Sequence, residues 1–301
     1  MQVNRNYLTL DKDGREILDE GRELFNFLYC YGDINGYFER TINTHFHKEL
    51  EVFLLLSGSV LIEAGGERHT LKAGEGCFIN SDILHSYQSL DDNGCTYYSF
   101  VFDASIIAGM ATSIFDTNYV TPLLTTGPEY IFFSSEDKSF SSLFKEIAKI
   151  AKEEADEYEF YIRNLLSLLF LEIRKRSRSL PSANRNFKED SKIKKLLSYI
   201  EEHIGEEISI PSLASVVSVS SRECQRIFIR YVHYAPIAYI QKRRIAKVTD
   251  LLRDSSKTIS EIAYECGFAS ASYLSKQFKS LTGIAPIEYR KKLKEKETIP
   301  L

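Results

Sequence analysis

No run of about 18 uncharged apolar residues occurs anywhere in the 301-residue chain, so no segment reads as a membrane-spanning helix. The stretch MQVNRNYLTLDKDGRE has no apolar h-region, which predicts that there is no secretory signal and that the protein is cytoplasmic. The cysteines (Cys30, Cys77, Cys95, Cys224 and Cys266) are odd in number and scattered, and never form CxxC. That excludes a disulfide framework and a cysteine-based zinc site, and it fits a reducing compartment. GxSxG, the P-loop and GxGxxG are all missing, which removes three common signatures of hydrolases, NTPases and dinucleotide enzymes. Glycine and proline, at 15 and 7, are too few for a collagen-like or low-complexity chain. Tryptophan is absent, so the aromatic share of 12% is tyrosine and phenylalanine, mostly destined for a core. What is present, 44% hydrophobic and 27% charged residues, is the balance of an ordinary globular protein. The length suggests two domains of roughly 150 residues each.

The net charge of −4 hides a division. Residues 188–301 hold 20 basic and 14 acidic side chains, a balance of +6; the rest hold 18 and 28, a balance of −10. A basic C-terminal part beside an acidic body suggests that one part meets an anion and the other does not.

Residues 37–102 read as short strands. ELEVFLLLSGSVLIEAGG (49–66), HTLKAGEGCFI (69–79), HSYQSL (85–90) and CTYYSFVF (95–102) are β-rich, with glycine or Asn/Asp punctuation between them. Such spacing predicts an antiparallel sandwich or barrel. Residues 104–135 are mixed and carry no clear period. From Phe140 the period turns helical: Phe140, Leu143, Phe144, Ile147, Ile150 and Ala151 share a face. A second helix carries Tyr158, Tyr161, Ile162, Leu165, Leu168, Leu169 and Ile173, and ends in RKRSR (174–178). The polar stretch SRSLPSANRNFKED (177–190), with its proline and two asparagines, reads as a linker.

Beyond the linker the chain repeats itself. LASVVSVSSRECQRIFIRYVHYAPIAYI (213–240) is matched by IAYECGFASASYLSKQFKSLTGIAPIEYR (262–290). Phe228, Ala235, Pro236, Ile237 and Tyr239 correspond to Phe278, Ala285, Pro286, Ile287 and Tyr289, each 50 residues on. Before the turn the offset is one residue shorter, so the second turn holds one extra residue. Each copy reads as helix–turn–helix, over 208–231 and 259–281. In the first, Pro211 sits in the opening turn, where its missing N–H is harmless, and Ser220 caps the second helix. In the second, Gly267 ends the first helix, and Ser270 or Ser272 caps the next. Ile227, Phe228, Leu274 and Phe278 face inward. Arg222, Gln225 and Arg226 in the first copy, and Ser272, Tyr273 and Lys276 in the second, face outward. This is the chemistry B-DNA requires: a helix fits the major groove, arginine reads guanine, glutamine reads adenine, and lysine and serine hold phosphate. Pro236–Leu252 reads as one rigid spacer helix of roughly 25 Å, able to present two reading helices to successive major-groove segments about 34 Å apart. A solvated amphipathic helix explains one such unit; it does not explain two that end in the same A-P-I-x-Y tail.

These residues resemble the AraC/XylS family of bacterial transcription regulators over about 190–293, a third of the chain. The likeness is carried by LASVVSVSSRECQRIF, RIAKVTDLL and ISEIAYECGFASASYLSKQFKSLTGIAPIEYR. In that family the second helix of each unit reads bases. By position this implies DNA contacts from Arg222, Gln225 and Arg226, and from Ser272, Tyr273 and Lys276. Where the family often has Asp-Gln or Ser-Gln before the second reading helix, this chain has Ala269-Ser270-Ala271-Ser272. Lys276 stands where arginine is usual, which suits phosphate better than guanine.

The β half carries its own pattern. His45-x-His47 is followed by Glu51, then Gly58, and later His85. On a strand His45 and His47 project to one side. With Glu51 and His85 they compose a three-nitrogen, one-oxygen set of the kind that binds divalent metals. The spacing resembles the two motifs of the cupin fold, the second being KAGEGCFINSDILHSY (72–87), with Asn80-Ser81 where a proline is common. Three readings stand: a metal site, a polar pocket for a small-molecule effector such as a carbohydrate, or side chains that satisfy one another by hydrogen bonds. No cofactor is required by the second. His69 stands alone and is assigned no role.

The resemblances together imply an α+β multi-domain chain. A cupin-like antiparallel β-barrel that senses an effector (1–135) leads to a helical dimerisation segment (136–176). The linker (177–190) and an all-α tandem helix-turn-helix DNA-binding domain (191–296) follow. The implied protein is a homodimeric, non-enzymatic transcription regulator, activator or repressor. Its partners are double-stranded DNA, a small effector and, for an activator, RNA polymerase; no membrane is involved. The alternatives are a metal-dependent cupin enzyme with an accessory helical domain, which leaves the repeat unexplained, and a regulator that answers to protein partners instead of an effector.

Overall fold

The computed structural model describes residues 2–3, 16, 25–180, 187–254 and 256–297. The chain divides into two units, one including Arg15–Arg185 and one including Asn186–Leu301. No helix among the described residues is long and apolar enough to cross a membrane.

The first unit is built on β1 (Gln2–Val3), β2 (Phe27–Asp33), β3 (Thr41–His45), β4 (Leu50–Leu55), β5 (Ser59–Ala64), β6 (Glu67–Lys72), β7 (Gly76–Ile79), β8 (His85–Ser89), β9 (Thr96–Phe102) and β10 (Tyr130–Phe133). Its helices are α1 (Ser105–Ala108), α2 (Thr121–Thr126), α3 (Lys138–Glu153) and α4 (Tyr158–Ser177). The strands form two sheets, ordered β1-β2-β9-β4-β7-β10 and β3-β8-β5-β6. This corrects the expected barrel: among the described residues the sheets do not close on one another. Nor is the larger sheet wholly antiparallel, since β1 pairs with β2 in parallel.

Strand β4 lies inside the larger sheet and is buried on both faces, so its sequence is a nearly unbroken apolar run. Side chains still alternate. Leu50, Val52 and Leu54 join the core formed with Phe140, Phe144, Leu166 and Phe170 of α3 and α4. Phe53 and Leu55 turn the other way, into the core shared with Val60, Ile62 and Tyr87 of the smaller sheet. Glu51 is the one charged residue of β4, and by alternation it belongs on the side facing the smaller sheet. The helices expected as a separate segment at 136–176 therefore share a core with the sheet.

The second unit is helical: α5 (Phe187–Glu202), α6 (Ile210–Val216), α7 (Ser221–Val232), α8 (Pro236–Asp254), α9 (Ile259–Glu265), α10 (Ala271–Thr282) and α11 (Pro286–Glu297). Helix occupies both ends of the stretch expected as linker, since α4 runs through Ser177 and α5 opens at Phe187. Residues 181–186 lie outside the described residues. Each unit of the repeat is delimited by local chemistry. Ser209 caps α6 in a capping box with Ser212, and Pro211 sits in the first turn. Thr258 caps α9 in a box with Glu261. Ser220 accepts from the Glu223 amide, and Ser270, the nearer of the two candidates, from that of Tyr273. Spacer α8 is 19 residues long, about 28 Å. It buries Ile245, Val248 and Leu252 as well as two arginines. Arg243 is paired with Glu201 at 2.6 Å, and the Arg244 guanidinium donates to the carbonyls of Ile204 and Glu206.

Candidate functional sites

The two sheets bring His45, His47, Glu51 and His85 together, all buried, with one ligand atom from each lying within 4.8 Å of the others. His45 and His85 are cross-strand partners in β3 and β8. Strand β3 ends at His45, but Phe46 forms a further bridge, so the extended backbone carries His47 to the same side. Glu51 reaches in from the other sheet. The three imidazoles are oriented alike. Nδ1 of His45, His47 and His85 lies 2.8, 3.1 and 2.8 Å from the carbonyls of Asn43, Glu49 and Ile83. A carbonyl can only accept, so each Nδ1 carries the proton and each Nε2 points at the cluster.

Glu51 is the hub. Its Oε2 lies 2.9 Å from His85 Nε2 and 3.3 Å from His47 Nε2. Its Oε1 accepts from the hydroxyls of Tyr87, at 3.0 Å, and Ser99, at 2.9 Å. Burial opposes a charged Glu51, but hydrogen bonds from His47 and His85 outweigh it and hold the carboxyl well below its usual range. Burial likewise opposes a charged His47; its bond to Glu51 and the charges of Glu51, Glu16 and Glu49 raise it above its usual value. His45 goes the other way, pushed well down by burial and by the neighbouring His85 and His47. It is therefore neutral, with a free Nε2 lone pair 3.7 Å from Glu16 Oε2. Burial and then the Glu51 charge push the Tyr87 hydroxyl well above its usual range, so it remains a donor.

A neutral imidazole has one N–H and satisfies one acceptor. His47 and His85 each face oxygen at both nitrogens, so the cluster calls for an added cation, either protons or a metal. Opposed ligands of an ion with bonds of 2.0–2.2 Å lie at most about 4.4 Å apart, which a small inward shift achieves. The cavity beside the cluster, lined by Glu16, Tyr37, His45, Glu51, Tyr87 and Ser99 among others, has a volume of about 40 Å³. That admits an ion or a water molecule; organic ligands occupy pockets of roughly 300 Å³ and more.

In the second unit the six outward residues lie on the helices to which the sequence assigned them. Arg222 and Arg226 are exposed and Gln225 half-buried on α7, while Ser272, Tyr273 and Lys276 are exposed on α10. Ile227, Phe228, Leu274 and Phe278 are buried on the opposite faces. The turns differ by one residue, as the repeat requires: four residues separate α6 from α7 and five separate α9 from α10.

Two family models match the chain: an AraC-like ligand binding domain over residues 28–170, and a helix-turn-helix domain over residues 213–292. The chain belongs to the AraC family. It is an AraC-type transcription regulator with an N-terminal ligand-binding domain and a C-terminal helix-turn-helix domain. Among its relatives is the uncharacterized HTH-type transcriptional regulator YdeC of Bacillus subtilis, 27% identical over 263 residues, 86% of this chain and 88% of that one. Another is the HTH-type transcriptional activator RhaS of Enterobacter sp., 23% identical over 250 residues, 82% of this chain and 86% of that one. Solved ToxT from Vibrio cholerae aligns with 88% of this chain and 98% of its own at 17% identity and a TM-score of 0.48.

In this AraC-family chain the sequence reading missed four groups around the cluster. Tyr87 was legible in principle, standing two residues beyond His85 on the same strand face. Ser99 was not: it reaches Glu51 through the pairing of β4 with β9. Glu49 and Glu16 come near through the turn after β3 and through a bridge to Phe46, and neither pattern is local.

Proposed function

We propose that this AraC-type regulator takes its input in the His45, His47, Glu51 and His85 set, and that the input is a divalent transition-metal ion. The observation that carries this is the convergence of three Nε2 atoms and one carboxylate in a buried space too small for a sugar. Three imidazoles and a carboxylate suit zinc, iron or nickel better than calcium or magnesium. The backbone carbonyls on each Nδ1 are the outer partners that ligating imidazoles need to hold their tautomer. The ion is a ligand here and not a catalyst, a reading supported by relatives that are transcriptional regulators. Arg222, Gln225 and Arg226 of α7 would read bases, while Ser272, Tyr273 and Lys276 of α10 hold the second major-groove segment mainly through phosphate. The protein acts in the cytoplasm as a homodimer, and as an activator it meets RNA polymerase on the promoter.

Elemental analysis with a gel shift tests this reading. After loading with zinc, iron(II) or nickel and dialysis, the full chain should retain one ion, and His85→Ala should retain none. The ion should change affinity for a duplex selected from a random pool by the wild-type chain. Retention unaffected by His85→Ala would refute the metal assignment. Stoichiometric metal with turnover and no sequence preference would favour the cupin-enzyme alternative.

A further inference from the structure

Arg226 is one of the two arginines of α7 assigned to base reading, yet its donors are engaged within its own unit. Its Nε donates to Glu223 Oε2 at 2.9 Å and its Nη2 to Glu223 Oε1 at 2.8 Å. Nη2 also donates to Glu189 Oε1 at 2.7 Å. The other oxygen of Glu189 accepts from Arg230 Nη1 at 2.9 Å. Glu189 is mostly buried, on the first turn of α5, and bridges two arginines one helical turn apart.

Guanine is read by two parallel N–H donors from one edge of a guanidinium, either Nε with Nη2 or Nη1 with Nη2. Glu223 occupies the first edge. The remaining Nη2 hydrogen, which belongs to the second edge, is held by Glu189. Held this way, Arg226 has only Nη1 to offer, enough for a phosphate oxygen and too little to distinguish a base. Removing Glu189 restores the whole Nη1/Nη2 edge, while Glu223, carried on the same helix, still steadies the far side of the fork.

We infer that Glu189 is a specificity-determining positioning residue. Base reading by Arg226 requires that Glu189 let go of it, and Glu223 then holds the freed fork toward the groove. The inference rests on the assignment of α7 as a base-reading helix.

The test uses the full chain, a consensus duplex selected from a random pool by the wild type, and its single-base variants. Arg226→Ala should relax discrimination at one position. Glu189→Gln should sharpen discrimination at that position about fivefold, the low end of what one bidentate base contact contributes. The gain should vanish in the Glu189→Gln, Arg226→Ala double variant. Removing an acid also favours DNA through charge alone, so Glu189→Asp is the decisive control. It keeps the charge, is one methylene too short to bridge both arginines, and should sharpen discrimination in the same way; it also decides if Glu189→Gln fails to fold. If both Glu189 variants leave discrimination unchanged, or tighten every duplex equally with and without Arg226, the inference is overturned. If Arg226→Ala relaxes nothing, the assignment of α7 fails first.

Discussion

Glu51 is a buried carboxylate whose two oxygens each receive two donors, and the fold positions those donors from the turn after β3 and from strands β8 and β9. Glu51→Gln removes the charge that raises His47 above its usual value and sets an amide N–H₂ against hydroxyl and imidazole donors. Breaking such a buried pair should cost about 3 kcal/mol, read by urea unfolding of the metal-free chain; a loss below about 1 kcal/mol would mean the hub is dispensable. The pH dependence follows from the directions of the shifts. Glu51 is held low, so its stabilisation is complete above about pH 4.3 and is lost as pH falls through the depressed value. His47 is held high, so its contribution is complete below about pH 6.5 and fades as pH rises through the raised value. His45 is held neutral, so acid below about pH 6.5 costs the folded state. Wild type should therefore lose stability steeply below about pH 4.3, and Glu51→Gln should lack that final limb in the same unfolding titration.

At the scale of elements, the two helix–turn–helix units bend at the same place with different residues. Two positions past α6 stands Ser218 at φ +52°, and two past α9 stands Gly267 at φ +70°. Only the glycine is free of side-chain crowding in that conformation. A Cβ at Gly267 would meet the Ile204 carbonyl at 2.7 Å and the Arg244 guanidinium at 2.8 Å. Gly267→Ala should destabilise the second unit by about 2–3 kcal/mol, whereas Ser218→Gly should stabilise it by up to about 1 kcal/mol. Thermal unfolding of the two variants against wild type checks both signs, and a neutral Gly267→Ala would refute the close approach. Caps, turns and the 50-residue repeat were legible because each is written within a few residues of where it acts. Three strands were not, β1, β2 and β10. FLYCYGD of β2 is buried on both faces and lacks alternation, and YIFF of β10 follows a stretch without period and is defined by its pairing with β7. Whether a sheet closes depends on which edges meet, so strand spacing left sandwich and barrel open, and the closed barrel was implied only by the cupin resemblance. His45, His47, Glu51 and His85 were visible through their spacing, but the hydrogen bonds that make Glu51 the hub come from strands the spacing does not pair. The grip of Glu189 on Arg226 joins residues 37 apart and left no local trace.

For the molecule as a whole, charge is divided along the chain. The acidic N-terminal part, with its balance of −10, is unsuited to DNA, whereas the +6 of residues 188–301 surrounds the reading helices. Both units expose large apolar side chains, and in the first several of them share one helix. On α4, Phe160, Tyr161, Leu168 and Leu171 stand out to solvent along one length of helix, and Ile114 and Phe115 are exposed in the segment before α2. A groove of about 390 Å³, lined by Ile107, Phe115, Tyr119, Phe170 and Leu171, lies in the same surface. A contiguous patch of this kind marks an association face more often than a solvated one. A homodimer buries it twice about a two-fold axis, and Leu168 with Leu171 would meet their own counterparts or their immediate neighbours. Leu168→Glu combined with Leu171→Glu places four carboxylates in that interface and removes nothing from a core, since both leucines are more than half exposed in the single chain. Sedimentation equilibrium should then shift from dimer to monomer, with far-UV circular dichroism unchanged and an unfolding midpoint that no longer rises with protein concentration. Affinity for the selected duplex should fall at least tenfold as the second chain's contacts are lost, because two tethered readers bind at a high effective concentration. A double variant that remains dimeric would show that the chains associate through another surface.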